Sequence, residues 1–107
     1  GDDGSAIWAI AQGASGVISV ASNWVTSLMI ELCERGKSGD EVSMMNWLNA
    51  HQDLFQSLGG QWPNPVPIKM FLSRSGVIKP IFRLPLTGIS EDEFLEQLEE
   101  KYQKYAQ

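Results

Sequence analysis

One short β-branched run, at residues 16–20, constrains the possible fold more than any other feature of this sequence. It reads GVISV, and its apolar residues leave little room for a side that faces solvent. Such a run is typical of a strand in a parallel sheet that is covered on both faces. A buried strand needs a neighbour along each edge, because its N–H and C=O groups must be paired. The rest of the sequence contains no second run of this quality.

Helices are predicted on both sides of this strand, each with apolar residues at helical spacing. A capping box of Ser38 and Glu41 is predicted to begin the third helix, and a capping box of Ser90 and Glu93 the last one. The predicted helices cover residues 4–12, 23–35, about 38–58, about 67–75 and about 90–107. This order, with one strand among five helices, is what remains of a barrel or doubly wound sheet that is broken just after a strand.

The composition is that of an ordinary soluble globular protein. The chain has 107 residues, of which 43% are hydrophobic and 20% charged, enough for one domain with a core. A formal net charge of −5 argues against nucleic acid or an anionic membrane as the main partner, because both need clustered Lys and Arg. No apolar run approaches the roughly 20 residues that span a bilayer, and no signal peptide is recognisable. The single cysteine, Cys33, favours a reducing compartment, so we expect a cytoplasmic protein.

The sequence opens with Gly1-Asp2-Asp3, and the paired carboxylates suggest a metal or acid/base hypothesis. A Gly-Asp-Asp triplet that binds magnesium in a polymerase lies on a hairpin between two strands, whereas here the triplet leads directly into a helix. The better interpretation is a strand-to-helix turn. In that turn the carboxylates of Asp2 and Asp3 would cap the helix and face its positive end.

Three other reactive side chains stand alone in the sequence. His51 lies on an apolar stripe with no second ligand at useful spacing, which favours a hydrogen-bonded core or interface residue over catalysis. Cys33 has no histidine close in sequence, so we expect a buried small hydrophobe. Lys69 follows a proline-rich turn and would be an amine nucleophile only if desolvated. The residues by themselves show no complete reaction centre, metal-ligand cluster or phosphate-binding glycine loop.

Five short stretches, read in order, resemble the C-terminal part of the dihydrodipicolinate synthase family. Each stretch is weak alone, but their order and spacing cover the whole chain and make the match specific. They are Gly1-Asp2-Asp3, GVISV at 16–20 with Asn23 soon after, HQDLF at 51–55, NPVPIK at 64–69 and RLPLT at 83–87.

The resemblance implies an α/β fold class, the C-terminal portion of a (β/α)8 TIM barrel plus a C-terminal helical region, mostly α-helical in this chain. Residues 1–37 would form the last βα unit of the barrel and residues 38–107 the helical region. Gly-Asp-Asp would be the turn that leaves the seventh barrel strand, and residues 16–20 would be the eighth strand. We therefore expect a fragment that is inactive by itself, and Gly1, with no initiating Met, looks like the start of a processed, cut or engineered chain.

The family's chemistry, as the resemblance implies it, is a step of lysine biosynthesis. Pyruvate condenses with aspartate semialdehyde through a Schiff base to a lysine on the sixth strand, helped by a tyrosine-centred proton relay and an arginine. All of these residues come earlier in the family's chain, so no catalytic residue is assigned here. Lys69 does not replace the Schiff-base lysine, because the NPVPIK lysine belongs to the helical region. No metal and no external cofactor is implied.

Two residues carry over from the family's substrate site. Gly1, at the end of strand seven, and Ile18, on strand eight, match positions that line the pyruvate pocket, at the end of the strands where barrel enzymes keep their sites. Asp2 and Asp3 adjoin this pocket. The implied partners are pyruvate, the missing N-terminal barrel segment and further copies of the intact protein in a cytoplasmic homo-oligomer.

Alternatives stay open at this point. The segment GGQWPNP and the pair Ala21-Ser22 depart from the family's usual residues, which leaves room for a relative acting on another aldehyde, such as an N-acetylneuraminate lyase-like or 2-keto-3-deoxy sugar acid aldolase. The GVISV and RLPLT stretches favour the synthase over neuraminate lyase. A different class of function is a free-standing acidic helical module that binds another protein through aromatic and methionine-bearing faces.

Overall fold

The computed structural model describes residues 1–59 and 62–106, and these residues form helices, turns and loops. The α-helices of this part of the chain are α1 (Ala6–Ala11), α2 (Thr26–Ser38), α3 (Glu41–Ser57), α4 (Val66–Arg74) and α5 (Glu91–Gln97). Short 3₁₀ helices occur at Asp3–Ser5, Ala21–Asn23 and Glu100–Ala106. The chain divides into two compact units, Gly1–Phe55 and Gln56–Gln107, which are described separately.

In the first unit, α1 packs directly against α2. Ile7 and Ile10 of α1 are buried, and so are Met29 and Leu32 of α2, because both helices turn their apolar faces toward each other. The two backbones come closest at Gly36. A Cβ atom at Gly36 would lie 2.9 Å from the Ile7 carbonyl oxygen and 2.9 Å from the Ile10 Cβ, so only a glycine permits this approach.

The strand predicted at residues 16–20 is not formed in the described chain. Residues 14–19 have no regular secondary structure, and Val20 already has helical backbone angles of φ −75° and ψ −47°. The physical reason is the absence of a partner, since no other part of residues 1–59 and 62–106 forms a strand with which this run could pair. The apolar side chains are left uncovered as a result, and Ile18 is 92% exposed.

The helices around this segment start later than the sequence suggests. The helix predicted at 4–12 occurs as the turn Asp3–Ser5 followed by α1, and the helix predicted at 23–35 occurs as α2, displaced by three residues. The turn Ala21–Asn23 fills the difference. There Val25 donates its N–H to the Ala21 carbonyl at 2.8 Å, so the chain turns tightly before α2 begins.

The N-terminus of α3 differs from its prediction. Ser38 and Glu41 do not form the expected capping box, because Ser38 is still the last residue of α2. Asp40 takes the role instead. Its Oδ1 accepts hydrogen bonds from the backbone N–H groups of Val42 at 3.1 Å and Ser43 at 3.3 Å, which satisfies two donors that the helix cannot pair internally.

The second unit is built on the packing of α4 against α5 and the C-terminal 3₁₀ helix. Phe71 and Phe94 are buried and meet edge to face, with ring centroids 5.2 Å apart, and Trp62 lies 5.1 Å from Phe94. Arg74 at the end of α4 donates from Nε to the Ala106 carbonyl at 2.6 Å. This bond fastens the chain's last described turn to α4.

The ends of α4 and α5 follow from their sequence. α4 begins at Val66, with Pro67 in its first turn, where a missing N–H costs nothing. The cap predicted at Ser90 is confirmed, since its hydroxyl accepts the Glu93 N–H at 3.1 Å.

Within residues 1–59 and 62–106, no helix has the length and apolar character needed to cross a membrane.

Replacing Gly36 by Ala tests the close approach of α1 and α2. Alanine favours helix by about 1 kcal/mol, but its methyl group would overlap Ile7 and Ile10, so we expect the free energy of unfolding to fall by about 1 to 3 kcal/mol. Urea unfolding measures this change. Gly4→Ala is the control, because a Cβ there meets only the Asp2 carboxylate at 3.8 Å. An equally stable Gly36→Ala variant would contradict the packing described.

A second pair of variants identifies the residue that caps α3. Asp40→Ala should lower the free energy of unfolding by about 1 to 2 kcal/mol, because two backbone donors lose their acceptor. Ser38→Ala should cost less, since Ser38 accepts no N–H from the first turn of α3. Urea unfolding of both variants measures the difference, and a larger loss from Ser38→Ala would restore the predicted capping box.

Candidate functional site

Gly1 and Ile18, the two residues expected at a substrate pocket, lie against each other in the first unit. A Cβ atom at Gly1 would overlap the Ile18 carbonyl oxygen and would lie 3.7 Å from Cγ2 of Val17. The main chain of the first residue therefore passes directly beside the main chain of residues 17 and 18. A side chain at position 1 would force these two segments apart.

The neighbouring carboxylates do not cap the helix, contrary to their prediction. Asp2 is the residue before the turn Asp3–Ser5, and its side chain accepts no capping hydrogen bond. Asp3 instead reaches forward in the sequence, and its Oδ2 accepts the backbone N–H of Ala21 at 2.9 Å. The carboxylate is used here because the segment after residue 18 lies within its reach, whereas α1 begins without a side-chain cap at Ser5.

The segment that Asp3 contacts is held by its own hydrogen bonds. The hydroxyl of Ser19 accepts the Ser22 N–H at 2.9 Å, and the Ser22 hydroxyl donates to the Ser19 carbonyl at 3.0 Å. Ala21 is fully buried. These contacts hold the chain immediately after Ile18, whose main chain lies beside Gly1.

The surface of this region is apolar and open. Ile18 is 92% exposed, while Val17 is half-buried. The residues combine a side-chain-free position at Gly1, a carbonyl oxygen at Ile18 and a nearby carboxylate at Asp3. Such an arrangement can shape one wall of a pocket for a small molecule, but it supplies neither a nucleophile nor a proton relay.

The reactive side chains singled out in the sequence have other surroundings. His51 is half-buried, stacks on Trp47 with ring centroids 4.3 Å apart, and donates from Nδ1 to the Trp47 carbonyl at 2.8 Å. Cys33 is a free thiol that is half-buried rather than buried, because its position on α2 lies at the edge of the apolar face. His51 is therefore a hydrogen-bonded packing residue, as predicted.

Lys69 also makes local contacts, and these lie within the second unit. Its ammonium group donates to the Ile81 carbonyl and lies 4.7 Å from the centre of the Phe82 ring. A lysine nucleophile needs a free amine, so these contacts do not favour that role.

Lys101, elsewhere in this unit, has a pKa raised by its interactions with the Tyr102 phenol and then with the Glu99 carboxylate.

No metal site is formed by the part of the chain that the structure describes. Groups of three or more His, Cys, Asp or Glu side chains that could hold an ion are absent from residues 1–59 and 62–106. The hypothesis of a metal bound by Asp2 and Asp3 therefore has no further ligands to support it.

The bond between Asp3 and Ala21 is the feature that sequence reasoning missed. The two residues are 18 positions apart, so neither helical spacing nor capping rules connect them. The available signal was the glycine at position 1, which marks a place where two backbones approach closely.

Comparisons with known proteins give matches to one family along most of the chain. The sequence profile of the Dihydrodipicolinate synthetase family matches residues 1–104. A 4-hydroxy-tetrahydrodipicolinate synthase of Acidithiobacillus ferrooxidans is 41% identical over 95 residues, which cover 84% of this chain and 31% of that protein. The synthase of Fervidobacterium nodosum is 37% identical over 103 residues, covering 94% of this chain and 35% of that protein.

These matches also show what share of a relative's length the chain covers. It spans about a third of the length of the curated relatives that it matches. The comparison with solved structures gave no significant match. Because the family profile covers nearly every residue, the chain belongs to the dihydrodipicolinate synthetase family.

Proposed function

We propose that this chain is the C-terminal part of a lyase that condenses pyruvate with aspartate semialdehyde through a lysine Schiff base. The observation that carries this proposal is the match of the family profile to residues 1–104, together with relatives that are 4-hydroxy-tetrahydrodipicolinate synthases. The chain spans about a third of those relatives, so the Schiff-base lysine, the tyrosine relay and the arginine would be contributed by the rest of the fold.

Gly1 and Ile18 are proposed to line the pyruvate pocket. Pyruvate has only three carbons, so the protein backbone must come close to it for the pocket to hold it firmly. The contact between Gly1 and the Ile18 carbonyl supports this role, because it produces a wall without a side chain at position 1. When the lysine nitrogen bonds to the pyruvate keto carbon and water leaves, this wall would limit how the imine can rotate.

The apolar run at 16–20 is proposed to be a barrel strand when the remaining barrel strands are present. Its apolar composition and the exposure of Ile18 support this, since a neighbouring strand would cover both. In this proposal residues 1–37 complete the barrel and residues 38–107 form the appended helical region. The site would then lie at the carboxyl ends of the barrel strands.

The whole enzyme is proposed to be a cytoplasmic homo-oligomer that needs no external cofactor. A lysine Schiff base supplies the electron sink for the condensation by itself. Cys33 is a free thiol, which is in keeping with a reducing compartment.

Trapping with pyruvate and borohydride tests where the lysine lies. The 107-residue chain alone should gain no pyruvate mass, because the Schiff-base lysine is proposed to lie in the rest of the fold and Lys69 is engaged by Ile81 and Phe82. A chimera in which residues 1–104 replace the matching part of the Acidithiobacillus ferrooxidans synthase should gain one pyruvate per chain. Intact-mass spectrometry reads both results. Stoichiometric labelling of the short chain at Lys69 or another lysine, or no labelling of a folded chimera, would overturn the proposal.

Replacing Gly1 by Ala in this chimera tests the pocket wall. The added methyl group would displace the Ile18 carbonyl, so we expect the KM for pyruvate to rise by about tenfold or more. Gly59→Ala is the control, because a Cβ there meets only the Gln56 carbonyl oxygen at 3.8 Å, outside the proposed pocket, and should leave KM unchanged. Equal KM values for the two variants would show that Gly1 does not line the pocket.

A further inference from the structure

Asp3 makes a contact that its place in the sequence does not require. As the first residue of the turn Asp3–Ser5, it could face the helix that follows, yet its Oδ2 accepts the N–H of Ala21 at 2.9 Å. A hydrogen bond to an ionised carboxylate is among the stronger ones in proteins. This bond joins two segments that are 18 residues apart.

The bond lies beside the contact between Gly1 and Ile18. Gly1 is two residues before Asp3, and Ile18 is three residues before Ala21. The same two segments are therefore joined at two points, by backbone packing at one end and by a hydrogen bond at the other. Two points fix both the separation and the relative rotation of the segments, whereas one point would leave them free to pivot.

The donor side of this bond, at Ala21, is held by further hydrogen bonds. Ala21 is fully buried, and its carbonyl accepts the N–H groups of Trp24 at 2.9 Å and Val25 at 2.8 Å. The Ser19 hydroxyl holds Ser22 from the other side. The Ala21 N–H that Asp3 accepts therefore belongs to a hydrogen-bonded turn that starts at Ser19, the residue after Ile18.

The environment of the second carboxylate oxygen of Asp3 lowers the stability of the fold. Oδ1 is buried and has no hydrogen-bond partner among the described residues. A buried acceptor without a donor is unfavourable, so this carboxylate is a poor choice for a turn that only needs to begin a helix. The bond to Ala21 is the favourable interaction that offsets this cost in the structure.

We propose that Asp3 is a positioning residue for the pyruvate pocket, where it holds the segment 16–20 against Gly1 through the Ala21 N–H. This inference rests on the proposed function, since it assigns a purpose to the geometry beside Gly1 and Ile18. Asp3 does not touch pyruvate in this account. It acts through the main chain, and Asp2, whose side chain accepts no capping bond, has no such role.

Hydrogen exchange of the Ala21 amide tests the bond in the 107-residue chain itself. Asp3→Ala should speed the exchange of this amide by about tenfold or more, because the N–H loses its acceptor. Asp3→Asn should restore most of the protection, since an amide oxygen can accept the same N–H. Asp2→Asn is the control for the loss of a charge and should leave the rate unchanged. Unchanged exchange in Asp3→Ala would overturn the proposal.

Steady-state kinetics of the chimera described above test the consequence for substrate. Asp3→Ala should raise the KM for pyruvate about tenfold, with kcat at saturating pyruvate altered by less than about threefold. Asp3→Asn should stay within about threefold of the parent in both. A merely structural role would instead lower the active fraction and hence kcat. Asp53→Asn, an exposed carboxylate of α3, controls for charge.

The outcomes separate this inference from the proposed function. If the parent chimera traps no pyruvate, both fail together. If the parent is active and Asp3→Ala leaves the KM for pyruvate unchanged, only the role of Asp3 is overturned. If Asp3→Asn is as impaired as Asp3→Ala, the charge matters rather than the bond, and positioning through Ala21 is contradicted. If Asp3→Ala fails to fold, hydrogen exchange of the Ala21 amide in Asp3→Asn decides, because retained protection supports the bond and lost protection contradicts it.

Discussion

The first unit depends on the close approach of α2 to α1 at Gly36. Because no side chain stands there, the Ile7 carbonyl and the Ile10 side chain can pack directly on the α2 backbone. The segment between these helices is thereby anchored at both ends. Gly1, which precedes α1, and Ile18, which precedes α2, lie against each other in a unit whose described residues form no sheet.

In the second unit, the side chains of Lys69 and Arg74 make structural contacts. Lys69 joins α4 to the loop that contains Ile81 and Phe82, and Arg74 joins the end of α4 to Ala106. A family motif, NPVPIK, thus supplies a cation for loop attachment here. This explains why a lysine in a conspicuous proline-rich motif is no evidence of Schiff-base chemistry at that position.

Local signals predicted the helices well but long-range contacts poorly. The cap at Ser90 and the start of α4 near Pro67 depend on residues within one turn, so the sequence contains the needed information. The cap of α3 was misplaced by two residues, since Ser38 and Asp40 are both good caps and only the end of α2 decides between them. No strand forms at 16–20 in the described residues, because a strand depends on partners that local sequence cannot supply.

The candidate site was predictable only through the family resemblance. Composition and spacing indicated neither Gly1 nor Ile18, because a glycine and an isoleucine carry no distinctive chemistry. The resemblance placed them in a pocket, and the structure places them in contact. The hydrogen bond of Asp3 to Ala21 was not predicted, as it joins residues 18 positions apart that share no helical or capping pattern.

The most direct measurement of the central claim is the methyl resonance of Ile18 in the chimera, recorded with and without saturating pyruvate. Ile30, which is 55% exposed on α2, serves as the internal reference. If Ile18 lines the pyruvate pocket, its methyl signals shift when pyruvate binds while those of Ile30 stay in place. An unchanged Ile18 in an enzyme that forms the pyruvate adduct would contradict the account.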